Sequence, residues 1–71
     1  MTILLETAFH LGDIVCSVVD PEVTGVVVSY YILGLDESGN VTSYNVDVGF
    51  GNGQTGSYRP YEIKILEKVN N

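Results

Sequence analysis

From Thr24 to Leu35 the chain carries large apolar or aromatic side chains at both parities: Val26, Val28, Tyr30 and Ile32 alternate with Val27, Tyr31 and Leu33. β-Branched and aromatic residues favour a strand, and successive side chains of a strand point to opposite faces. A strand apolar on both faces needs cover on two sides. With 71 residues there is room for one domain, which buries roughly 60% of its unfolded surface. Two arrangements satisfy the pattern. Either the long strand bends and serves both halves of a small curled sheet, or a partner surface covers one of its faces.

The rest of the chain repeats the β signal in shorter runs, and no segment shows a helical stripe. Thr2–Thr7 reads as an edge strand or an N-terminal arm, and Leu11-Gly12-Asp13 as a turn. Ile14–Val19 is the next strand, closed by Asp20-Pro21-Glu22, where Pro presets φ and Asp can bond the backbone ahead of it. Asp36-Glu37-Ser38-Gly39-Asn40 closes a hairpin, with Gly39 or Asn40 suited to a positive φ. In Val41–Val48, Tyr44, Val46 and Val48 alternate with Ser43, Asn45 and Asp47, so one side is solvated. Residues 49–57 hold four glycines and read as a flexible hairpin loop, with Phe50 its only large side chain. A single helical turn is allowed near Ser57–Tyr61, before a last strand, Tyr61–Leu66. The expected organisation is one domain over 1–71: an edge strand or arm at 1–8, the sheet over 9–67 and a frayed tail at 68–71. Val15, Val46, Ile63 and Ile65 are the expected core.

Charge narrows the partners. Residues 1–58 hold seven acids and no Lys or Arg, while Arg59, Lys64 and Lys68 are the only basic side chains and the net charge is −6. Such a surface repels phosphate over most of its area, so direct nucleic-acid binding is not expected. No apolar run reaches the roughly 18 residues of a membrane span, and Met1–Glu6 lacks the basic start of a signal peptide. The single Cys16 cannot form an internal disulfide, which suits a reducing compartment. A cytoplasmic protein, bacterial or in a host cell, is expected.

Motifs with chemical meaning dissolve on inspection. Gly51-Asn52-Gly53-Gln54-Thr55-Gly56 has the G-x-G-x-x-G spacing, but that motif holds a pyrophosphate only when it opens a helix, and here Pro60 and a β-run follow. Asp36, Ser38, Asn40 and Asp47 match part of a calcium-loop spacing, yet the central Gly is replaced by Val41 and no helices flank it. His10 and Cys16 are one ligand of each kind, too few for zinc, and read as packing or surface residues. No catalytic residue, metal site or cofactor is expected.

The aromatics carry the remaining functional signal. Phe9, Phe50, Tyr30, Tyr31, Tyr44, Tyr58 and Tyr61 exceed what so small a core must hold. Tyr58 and Tyr61 bracket Arg59-Pro60 beside the glycine loop, and rigid aromatics with an Arg concentrate binding energy. Phe50, Tyr58, Arg59 and Tyr61 are therefore the first candidate partner-binding surface, and Tyr30 with Tyr31 the second. The alternative is that these rings clamp the last turn of the fold.

The order Phe9, Gly12-Asp13, Val15, Asp20-Pro21-Glu22, Gly25-Val26-Val27, Tyr44-x-Val46 and Glu62-Ile63 resembles small SH3-like barrels of the KOW and Tudor type. It is similar too to short proteins encoded by bacteria and their phages. The resemblance covers roughly residues 9–66 and implies an all-β, SH3-like barrel of five or six antiparallel strands. It implies a non-enzymatic protein-binding or assembly module, plausibly from a phage or mobile element. Barrels of this type that bind nucleic acid carry basic loops, which this chain lacks before residue 59. Two further readings stand beside it: an acidic mimic of nucleic acid that inhibits a host nucleic-acid-binding protein, and an oligomeric virion subunit joined through Thr2–Thr7 or Thr24–Leu35.

Overall fold

Side-chain hydrogen bonds to the backbone decide where the chain reverses. The Asp36 carboxylate accepts the N–H groups of Ser38 and Asn40 at 2.8 and 2.9 Å, and Gly39 takes a φ of 86° that other residues adopt only at a cost. Asp20 caps the preceding turn, accepting the Glu22 N–H at 3.3 Å. The computed structural model describes residues 2–69. Between these turns lie β1 (Ile14–Ser17), β2 (Thr24–Leu35), β3 (Val41–Gly49), β4 (Thr55–Tyr58) and β5 (Ile63–Glu67), with one 3-10 turn at Pro60–Glu62.

The chain is all-β, and its five strands form one antiparallel sheet in the order β4-β3-β2-β1-β5. This order fits the SH3-like arrangement expected. No ladder joins β4 to β5, so the sheet is open rather than a closed barrel. Phe9, Val15, Val27, Val46, Val48 and Ile63 form the core cluster, with Tyr30, Tyr44, Phe50, Tyr58 and Ile65 packed against it. Gly25 permits the closest approach across that core. A Cβ there would stand 2.5 Å from Val48 Cγ1 and 2.7 Å from the backbone oxygen of Gly49, inside contact distance of an atom that cannot swing away.

Several local expectations are corrected. Thr2–Thr7 is an arm and not a strand: only Leu4 makes a bridge, to Asn40. β1 stops at Ser17, two residues short of Val19. Tyr61 belongs to the 3-10 turn, so the last strand begins at Ile63. The glycine-rich stretch contains a strand, β4, because the hairpin turns within Phe50–Gln54 and Thr55 already pairs with Gly49. Ile65 is half-buried, whereas Val15, Val46 and Ile63 are buried.

β2 also departs from simple alternation. Its pairing with β3 slips between Val27 and Ser29, and an extra residue in one strand reverses the facing of all that follows. Tyr30 therefore shares the inner face with Val27 rather than with Val26 and Val28. Tyr31 points outward, opposite Asn45. The same strand outruns its neighbour on the other side, since β1 pairs only with Thr24, Gly25 and Val26. The tail is anchored as far as it is described: Lys68 and Val69 both bond Asp13. Asn70 and Asn71, the rest of the tail expected to fray, lie outside the described residues.

Candidate functional site

Past its last ladder pair, β1 runs on as Val18 and Val19 before the Asp20-Pro21 turn. The Val18 N–H donates to the Glu62 carbonyl at 2.9 Å, which seats this segment against the 3-10 turn. That turn closes on itself, with the Arg59 N–H donating to Glu62 Oε1 at 2.7 Å and the Glu62 N–H to the Arg59 carbonyl at 2.9 Å. Pro60 opens it, where a missing N–H leaves no bond unmade. A groove of about 340 Å³ results, lined by Ser17, Val18, Val19, Tyr58, Tyr61 and Glu62. Its walls are apolar and open to water, Val19 being 94% and Tyr61 76% exposed.

The sequence-derived candidates divide between this groove and the fold itself. Tyr58 and Tyr61 line it. Phe50 stands edge-on to Tyr58 with ring centroids 6.4 Å apart and packs on the core instead. The Arg59 guanidinium turns toward β3, donating to Ser43 Oγ at 3.0 Å, the Tyr44 carbonyl at 3.2 Å and Asn45 Oδ1 at 3.3 Å. Tyr30 is half-buried and its hydroxyl donates to the Phe9 carbonyl at 2.6 Å. Burial first, then the Asp13 and Tyr44 charges, raise its pKa. Tyr31 is 61% exposed on the opposite face of the sheet. Val18 and Val19 escaped notice because they continue the β1 pattern. The available signal was their position before Asp20-Pro21, where pairing has to end.

A second polar cluster serves the fold. The Asp13 carboxylate is fully buried and accepts four hydrogens. They come from the His10 N–H at 2.8 Å, the Val69 N–H at 2.7 Å, Lys68 Nζ at 2.8 Å and, through its backbone carbonyl, the Val27 N–H at 2.9 Å. Lys68 Nζ also reaches the Ala8 carbonyl at 2.9 Å and His10 Nδ1 at 2.7 Å. An ammonium only donates, so His10 Nδ1 accepts and the ring proton sits on Nε2. Burial pushes the Asp13 pKa up, but the bonds from Lys68, Val69 and His10 and the Lys68 charge outweigh it, lowering the pKa from an ordinary 3.8 to about 2. The cluster thus clasps the N-terminal arm to the end of β5.

The remaining polar side chains are spent on turns and ladders. Asp36 has its pKa lowered chiefly by the Asn40 N–H and side-chain amide, with Ser38 and Gly39 adding to it. These bonds occupy the oxygens that a calcium reading would need. Asp47 bridges Ser29 and Ser57 across three strands at 2.7 and 2.8 Å. The glycine motif forms a β-hairpin, its Phe50 N–H bonded to Gln54 O at 2.9 Å. Among the described residues, no three His, Cys, Asp or Glu side chains converge, and Cys16 is buried. The cavity beneath the sheet, beside Val15, Val48, Phe50 and Ile63, holds about 10 Å³, room for about one water. No helix among the described residues is long and apolar enough to cross a membrane. Comparison with protein-family models, with curated proteins and with solved structures finds no match to this chain.

Proposed function

We propose that this chain is a non-enzymatic protein-binding or assembly module of phage or mobile-element origin, which grips its protein partner in the groove between Val18-Val19 and the 3-10 turn. The observation that carries the reading is the open apolar groove of about 340 Å³, walled by Val18, Val19, Tyr58 and Tyr61. Tyrosine combines a large contact area with few rotors, and such residues concentrate the energy of protein interfaces. The Tyr58 ring is held by Phe50, and the turn beneath Tyr61 is closed by the Arg59–Glu62 bonds. Both walls are therefore preorganised, which lowers the ordering cost of association. Scattered acids and a net charge of −6 favour a protein with a neutral or basic contact surface over nucleic acid.

Site-specific photocrosslinking in the native host tests this. A crosslinking side chain at Val19 is expected to yield a discrete adduct with one protein, the adduct is expected to weaken with Tyr61→Ala, and the same group at Glu37, in the hairpin turn between β2 and β3, is expected to yield none. Identical adducts from both positions, or none from Val19, would reject the groove as the contact surface.

A further inference from the structure

The overhanging half of β2 has a free backbone edge. Val27 is the last residue whose backbone bonds on the β1 side are filled, its N–H going to the Asp13 carbonyl and its own carbonyl accepting the Gly12 N–H. Backbone groups of a strand alternate between its two edges, and the slip at Val28 advances that alternation by one residue. Ser29 and Tyr31 therefore face β3, opposite Asp47 and Asn45, while Tyr30 and Ile32 direct their N–H and C=O groups outward. Among the described residues no strand pairs with this edge from Val28 to Leu35. Exposed edges of this kind are normally blunted by charge, proline or a covering segment. Here there is no such guard, since residues 23–35 form the longest stretch of the chain without a charged side chain and contain no Pro.

We propose that this edge is a homodimer interface, on which a second copy of the chain lays its own β2 antiparallel about a two-fold axis at Tyr31. Register supports a second copy. The free stretch from Val28 to Gly34 is centred on Tyr31, so self-pairing places Tyr30 of each copy opposite Ile32 of the other and fills the outward groups with four backbone bonds. Leu35 of one copy then meets Val27 of the other, where β1 already occupies the edge and the ladder has to stop. The two Tyr31 rings lie side by side at the axis, an aromatic cross-strand pair.

Charge and area point the same way. Two copies at −6 repel each other over most of their surface, and the uncharged strand is where they approach at least cost. A specific interface buries roughly 1,000 Å² or more, about 500 Å² from each copy. Val26, Val28, Tyr31, Ile32, Leu33 and Leu35, each 36–61% exposed, supply apolar area of about that size.

Sedimentation equilibrium from micromolar to millimolar concentration, paired with hydrogen exchange, tests the proposal. The expected result is a species of twice the 7.7 kDa chain mass, with the Tyr30 and Ile32 amides gaining protection as concentration rises. Tyr31→Glu, which sets two like charges against each other at the axis, is expected to weaken association by about tenfold or more. Tyr31→Phe is expected to leave it unchanged. A 7.7 kDa species at every concentration would overturn the proposal, leaving the edge for a foreign strand. A dimer whose Tyr30 and Ile32 amides exchange alike at all concentrations would overturn it as well, and that measurement needs no variant to fold. Neither result bears on the groove, because Tyr31 does not line it.

Discussion

The two halves of β2 carry the same kinds of side chain and meet opposite fates. Thr24–Val27 lies between β1 and β3, with Val27 among the most buried residues. Beyond the slip at Val28, the strand has β3 on one side and nothing on the other, and Val28, Tyr31, Leu33 and Leu35 stay exposed. Burial here follows the number of neighbouring strands and not the hydrophobicity of the residue. The base, built from β1, β5 and the first third of β2, holds the fold together. The overhang extends the molecule, whose long axis of 39 Å is about that of a twelve-residue strand, and offers surface.

The contrast is broken most directly at Ile63. It is buried in the base against the core cluster, so Ile63→Ala is expected to lower stability by about 2–5 kcal/mol, read from urea unfolding at constant m-value. A loss of less than about 0.5 kcal/mol would show that β5 contributes no core.

The Asp13 clasp, also at the base, is tested by acid. Its pKa lies below the unfolded value, so its contribution is complete above the ordinary 3.8 and disappears as pH falls from there to about 2. Wild type is expected to lose urea midpoint through that window more steeply than Asp13→Asn, which has no carboxylate to protonate. Parallel curves for the two proteins would show that the clasp adds nothing to stability.

The smallest effect is expected in the overhang. Leu33→Ala, on its outer face, should change the stability of the dilute protein by no more than about 0.5 kcal/mol. A loss as large as that of Ile63→Ala, measured by the same unfolding experiment at low concentration, would mean that the overhang is a second core rather than a surface.

Much of the framework was legible residue by residue. Alternation in Val41–Val48 located β3 and its buried Val46 and Val48, because a half-solvated strand writes its burial directly into its pattern. Asp36 and Gly39 marked the hairpin turn through purely local chemistry. β4 was hidden because its pairing comes from β3 and not from its own composition, and four glycines in residues 49–57 give no β signal. Tyr58 and Tyr61 were visible as candidate contacts through their residue type and spacing. Val18 and Val19 were not, since only the seating of that segment on the 3-10 turn makes them a wall.

What the sequence determined by itself was local: an acidic, all-β chain, the places where it reverses, and an excess of aromatic side chains. These follow from backbone preference and side-chain period, which act within a few residues. Tertiary structure alone decided the rest. One unpaired residue at Val28 moved Tyr30 inward and Tyr31 outward. A buried Asp13 drew Lys68 and Val69 from the far end of the chain, and the short reach of β1 left half of β2 with an open edge. Each depends on which segments become neighbours in space, and pairing between distant segments is set by the whole sheet rather than by any window of sequence.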